Sequence, residues 1–253
     1  MLNETQTVAR YKQSFALFVY RLLDMTRMAP SPELQSVLQK EVAFLYYLFA
    51  IVLYHNNLKK NEINSLIEWA ANLGSDINLD TFKEMYLEQL TRLNLTHMKP
   101  DKFLFSFSTI WDSIHLMCLL ADDVVINRET HDQDNVINYI KNCKQVFYNI
   151  FIILFCPICA KHYLTIDAFP YEFERVEVAL YREKQGEPLQ LVEEINKNQS
   201  HKNILIKYHL LYASMSFHNH VNNYRPIQHN NDELNNFQRM DWSLLKTLLG
   251  ISS

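Results

Sequence analysis

The sequence predicts an all-α fold, and three observations predict it. Only three glycines occur in 253 residues, Gly74, Gly186 and Gly250, too few for the tight turns that an α/β or all-β chain of this length needs. Apolar residues recur at i, i+3 and i+4 along much of the chain, the period of a helix with one buried face. The composition, 48% hydrophobic, 13% aromatic and 21% charged, supports a large packed core and excludes a disordered chain.

Taken in order, the first hundred residues read as helices. Ser31 is placed to cap and Pro32 to start a segment reaching about His55, because the first helical position needs no N–H donor. Ile63, Leu66, Ile67 and Ala70 make the next apolar face, with Gly74 as its stop. Phe82, Met85, Tyr86 and Leu90 repeat the pattern after the expected cap Asp80, and Pro100 closes this half. Residues 1–100 contain no cysteine and no recognisable motif, which predicts a helical scaffold domain. Residues 101–253 form the second expected domain, with helical segments near 103–126, 133–155, 157–166, 171–184, 203–223 and 233–249. Polar breaks fall at 186–188, 196–202 and 223–235. The unbroken apolar run 146–155, rich in Phe and Ile, also fits a buried strand.

A net charge of −4 without a dense Lys/Arg run does not support a nucleic-acid partner. The N-terminus, Met1-Leu2-Asn3-Glu4-Thr5-Gln6, is polar, so no signal peptide is expected. The longest apolar runs, 43–54 and 146–155, fall short of the roughly 20 residues that span a bilayer, so no transmembrane segment is expected. There are four cysteines, Cys118, Cys143, Cys156 and Cys159. Without a secretion signal they do not read as a structural disulfide framework, and Cys118 and Cys143 read as small buried hydrophobes.

The chemistry concentrates in four motifs. In Cys156-Pro157-Ile158-Cys159-Ala160-Lys161-His162-Tyr163 two thiols lie three residues apart, and Pro157 starts a helix whose N-terminal N–H groups and dipole favour a thiolate. That suits a redox-active dithiol, and it is also half of a zinc site. Trp111 and His115, spaced i, i+4, share one helix face; an indole beside an imidazole suits a planar aromatic ligand, and equally suits a packed core. In Phe217-His218-Asn219-His220-Val221-Asn222, His218 and Asn222 share a face and both donate and accept hydrogen bonds. Arg239-Met240-Asp241-Trp242 comes last, with Trp242 on an apolar stripe with Leu245, Leu248 and Leu249.

The order Trp-x-x-x-His, Cys-x-x-Cys-x-x-His-aromatic, His-Asn-x-Val-Asn, then a basic residue three before Trp, resembles the Erv/ALR family of FAD-dependent sulfhydryl oxidases over roughly residues 105–245. The whole chain is most similar to the baculoviral members of that family, through Thr109-Ile110-Trp111-Asp112, Leu120-Ala121-Asp122-Asp123, Val146-Phe147-Tyr148-Asn149, Met215-Ser216-Phe217-His218-Asn219-His220 and Met240-Asp241-Trp242.

The resemblance implies a helical bundle preceded by a second, degenerate helical domain. It implies FAD as cofactor, protein thiols of viral or host origin as substrates, oxygen as electron acceptor with release of hydrogen peroxide, and a homodimer found in the virion and in the host nucleus and cytoplasm. Carried over, Cys156 and Cys159 are the catalytic pair, with Cys159 next to the flavin. Trp111 and His115, then His162, then His218, Asn219 and Asn222, then Arg239 and Trp242 hold the cofactor. Arg128 and Glu183 correspond to a charge pair near the active site. The chain departs from the family pattern in having no arginine within 103–110, Arg239 in place of a lysine, and no second Cys-x-x-Cys to act as a shuttle.

Two other readings of the same residues stay open on sequence. A zinc-binding structural protein would use Cys156, Cys159 and His162 with His218 or His220. A thioredoxin-like exchanger would need the 146–155 run to be a strand feeding the cysteine helix.

Overall fold

The computed structural model describes residues 4–54, 58–154, 156–166, 168–194, 202–223 and 239–251. The fold is all-α: helices α1 to α9 are Gln6–Arg27, Pro32–Tyr54, Lys60–Ala71, Leu79–Arg92, Phe107–Ile126, Gln133–Asn149, Pro157–Thr165, Ala168–Lys184 and His209–Asn223, and α10 is Trp242–Leu249. Among the described residues the strand content is one parallel pair, β1 (Gln190–Val192) and β2 (Ile204–Ile206), with Leu191 opposite Leu205. This pair was not expected from the sequence, where 203–223 reads as helix throughout. The chain divides into two compact units, Arg10–Ser113 and Met1–Ala9 together with Ile114–Ser253.

The unit Arg10–Ser113 is packed through aromatic rings. Phe15, Phe18, Tyr46, Phe49, Phe82 and Tyr86 are almost fully buried. Trp69 stacks on Phe82 at 5.9 Å, and the Tyr46 and Tyr86 hydroxyls meet at 3.2 Å. Buried Asp24 binds Arg27, whose guanidinium also donates to the Gly74 carbonyl and lies 4.9 Å from the Phe82 ring centre. Ser31 caps α2 as expected, its hydroxyl accepting the Leu34 N–H. Two boundaries differ from expectation. Asn78, not Asp80, caps α4, because Asn78 has the extended backbone of a cap and its side chain accepts the Thr81 N–H at 2.9 Å. Helix α3 ends at Ala71, ahead of Gly74, where the Asn72 side chain takes the Glu68 carbonyl.

Helix α2, 23 residues, is long and apolar enough to cross a membrane by length and composition. The run 43–54 of the sequence is the C-terminal half of this longer helix. In the fold α2 buries a face that includes Leu38, Val42, Leu45, Tyr46 and Phe49 and also a glutamate, Glu41, which is the pattern of a core helix.

In the other unit α6 and α8 pack side by side. Phe147 meets Phe173 at 4.8 Å and Phe169 edge-on at 5.0 Å. Lys144 binds Glu177 at 2.6 Å, and the Tyr148 hydroxyl donates to Glu174 at 2.7 Å. The ambiguous run 146–155 is helical: α6 continues to Asn149 and tightens into a 3₁₀ turn over Ile150–Ile153, with Phe155 outside the described residues. The reason is continuity, since buried Val136, Ile140, Cys143, Phe147 and Ile150 keep one helical face through the run. With that strand absent, a thioredoxin-like order of elements has no start.

Candidate active site

Cys156 is the cap of α7 and Pro157 its first helical residue. Cys156 has an extended backbone, φ −108° and ψ 110°, so its sulfur turns back over the helix N-terminus and accepts the Cys159 N–H at 3.3 Å. Both sulfurs are thiols here, both half-buried. The Cys156 thiol is held below its ordinary range first by the Cys159 thiol, then by the Cys159 N–H, with the Ile158 N–H adding to them against partial burial. Hydrogen bonds to the charged form favour it, so Cys156 is more acidic than an ordinary thiol. Cys118 and Cys143 are fully buried, and desolvation drives both thiols upward.

Helix α9 organises the rest, because residues 100° apart around it face three different elements. His218 faces α5: its Nδ1 lies 3.1 Å from His115 Nε2, and the rings stack at 5.4 Å and 29°. His220 faces α7, stacked with His162 at 6.2 Å and 24°. Burial first, and then the nearby charge of His220, lower the His162 pKa. Asn219, between the two histidines, faces the chain leading into α10. Its amide donates to the Met240 carbonyl at 2.9 Å and accepts the Met240 N–H at 2.8 Å. Asn222 is buried at 6% exposure on the His218 side of the helix. Trp242 meets Tyr212 edge-on at 5.3 Å, and Arg239 is exposed.

The tautomer of His115 follows from its partners. Its Nδ1 lies 2.9 Å from the Ser214 hydroxyl, and that hydroxyl donates its one proton to the Leu211 carbonyl at 2.7 Å. Ser214 Oγ therefore accepts, His115 carries its proton on Nδ1, and His115 Nε2 accepts the Nδ1–H of His218. The imidazole of His115, 1% exposed, is thereby fixed in orientation.

The start of α9 is held from two sides. Asp122 of α5 accepts the N–H groups of Leu210 and Leu211 at 3.0 and 2.8 Å. His209 pairs with Glu172 of α8 at 2.6 Å. Burial pushes the Asp122 carboxyl up to about 7, against the pull of those two N–H groups.

The structure thus brings Cys156, Cys159, His162, His115, His218, Asn219, Asn222, Arg239 and Trp242 onto α9 and the elements that touch it. Trp111 lies one turn before His115 on α5 and is half-buried. Arg128 and Glu183 do pair, through three contacts of 2.8 to 3.1 Å. Arg128 also donates to the Val125 and Leu189 carbonyls, and Glu183 accepts the Leu189 N–H. The pair ties the end of α5 to the end of α8. Among the described residues no group of three or more His, Cys, Asp or Glu side chains is placed to hold a metal ion, although all five residues of the zinc reading are described. Sequence reasoning missed Ser214, Tyr212 and Asp122. Each works through long-range contacts, and only the i, i−4 spacing of Ser214 from His218 hinted at a shared face.

The model of the family described as Baculovirus P33 matches residues 5–251. The chain is 35% identical to a protein of Autographa californica nuclear polyhedrosis virus named FAD-linked sulfhydryl oxidase, over 99% of this chain and 100% of that one. It is 33% identical to the 33 kDa early protein of Orgyia pseudotsugata multicapsid polyhedrosis virus, again over 99% and 100%. With the match running through both units and every motif, the chain belongs to the Baculovirus P33 family.

Proposed function

We propose that this chain is a sulfhydryl oxidase that binds FAD and makes disulfides in protein substrates. The observation that carries the reading is the Cys156–Cys159 pair at the N-terminus of α7, one turn before a histidine stacked against α9. The relative named FAD-linked sulfhydryl oxidase supports it over its full length.

The donor set fits a flavin. Flat rings stand in neighbouring positions on three helices, His115 presents a fixed tautomer, and Asn222 is a buried amide. His115, His162, His218 and Asn222 would hold the group from α5, α7 and α9, with Arg239 and Trp242 at the approach to α10. When bound, FAD supplies a two-electron acceptor that passes electrons to dioxygen and yields hydrogen peroxide.

The protein's own steps are thiol chemistry. A substrate thiolate attacks Cys156 Sγ in the oxidised pair; the Cys156–Cys159 bond breaks and Cys159 leaves as thiolate. A second substrate thiolate attacks its partner sulfur in the mixed disulfide, giving the substrate disulfide and the Cys156 thiolate. The substrate has lost two electrons and the cysteine pair has gained them. The Cys159 N–H on Cys156 Sγ stabilises the thiolate released in this last step. Cys156, as the helix cap, meets substrate, while Cys159, on the helix, delivers electrons inward.

The purified protein should be yellow, with a flavin released intact on denaturation. Cys156→Ala and Cys159→Ala should each abolish thiol-dependent oxygen uptake, and Cys156→Ala should still bind FAD. Full turnover in either variant overturns the mechanism, and a colourless protein with stoichiometric zinc overturns the function.

A further inference from the structure

Resting on the flavin-binding reading above, we infer that Asn219 is a positioning residue whose amide clamps the Met240 backbone and acts on the bound ligand through Arg239 and Trp242. The residue's neighbours in sequence, His218 and His220, turn to α5 and α7, whereas Asn219 turns to neither. Its amide closes a two-bond ring with Met240, donating at 2.9 Å and accepting at 2.8 Å. That is how one strand holds another: a single bond leaves rotation, and two opposed bonds remove it.

A second fastening lies on the same stripe of α9. Tyr212 is seven residues, two turns, before Asn219, so both project from one side. Tyr212 takes the edge of Trp242 at 5.3 Å. Between the two fastenings Asp241 caps α10, its carboxylate accepting the Leu244 N–H at 2.8 Å. The eight residues of α10 are too few to hold a helix alone. Its register against α9 is therefore set by Asn219 on Met240 and Tyr212 on Trp242. Arg239 and Trp242 stand on either side of the clamped residue, so releasing Met240 loosens Arg239 and leaves Trp242 held by Tyr212 without its second fastening.

The test uses the full-length protein. Amide hydrogen exchange reads the clamp without any flavin: Met240 should be protected in the parent and lose that protection in Asn219→Ala. Asn219→Asp keeps the acceptor for Met240 N–H but sets an oxygen against the Met240 carbonyl, so its protection should be intermediate. FAD affinity, read by flavin fluorescence, should fall about tenfold in Asn219→Ala, the effect of one or two neutral hydrogen bonds. In a Trp242→Ala, Arg239→Ala background the same substitution should change affinity less than about twofold, because residues acting in series do not add. Unchanged Met240 exchange in Asn219→Ala overturns the clamp. Additive affinity losses overturn its action through Arg239 and Trp242 and make Asn219 a direct contact. A parent that binds no FAD refutes the flavin-binding reading and with it the ligand half of the inference, while Met240 exchange still decides the clamp.

Discussion

At the scale of single residues, four identical side chains are given two chemistries by where they sit. Cys156 gains a thiol and two backbone N–H groups as partners and is more acidic than a free thiol. Cys118 and Cys143 lose water, and even the Ser214 hydroxyl beside Cys118 does not offset that loss, so burial drives both thiols upward. Reactivity follows the thiolate. Brief treatment of the reduced native protein with iodoacetamide at pH 7.5 should label Cys156 first. Cys118 and Cys143 should react only after unfolding. Peptide mapping checks this, and native labelling of Cys143 ahead of Cys156 would contradict the assignment. His115 makes the same point for protonation: one serine hydroxyl, committed to a carbonyl, settles which nitrogen carries the proton.

At the scale of elements, the informative contacts are those that fasten helix ends. The Asp122 carboxyl caps α9 from another helix and sits buried with a pKa of about 7 against an ordinary 3.8. A raised folded-state value means that the native protein keeps a proton which the unfolded chain releases. The resulting stability is full below pH 3.8 and is lost as pH rises through about 7. Asp122→Asn should remove this slope from urea-unfolding free energies measured between pH 4 and 8. Asp122→Ala, which strands the Leu210 and Leu211 N–H groups, should cost about 2–3 kcal/mol. The Arg128–Glu183 pair joins α5 to α8 with side chains 12% and 22% exposed. Removing either partner should cost about 2–3 kcal/mol, below the figure for a fully buried pair because water still screens it. A double-mutant cycle by chemical denaturation should then show strong coupling, and strictly additive losses would reduce the pair to a surface contact.

At the scale of the whole molecule, all four cysteines lie outside the unit Arg10–Ser113. That unit has an aromatic core and, of the residues in the four motifs, carries Trp111 alone. One FAD per chain is the expected stoichiometry, measured as flavin absorbance against protein concentration; two would give the first unit a site of its own. We also propose that the protein is a homodimer. The family resemblance carries that expectation, with exposed apolar side chains such as Leu104, Val178 and Leu244 as its physical support. Light scattering should give twice the chain mass of 30.1 kDa, and a monomer at high concentration would refute it.

What the sequence determined by itself is whatever depends on neighbours in the chain. Glycine scarcity and helical period set the all-α class. Ser31 with Pro32 and Cys156 with Pro157 mark helix starts because a cap acts on the next three residues. The spacing of His218 and Asn222 places both on one face. The cap of α4 was harder, since Asn78 and Asp80 are both good caps and only the backbone angles choose between them. Tertiary structure alone decided that 146–153 continues as helix, that β1 finds β2 in parallel, and that Asn219 spends its amide on Met240. It also decided that burial pushes the Asp122 carboxyl up to about 7. Each of these depends on what lies opposite in space, and a local pattern of residue types carries no record of a partner brought there by the packing of other helices.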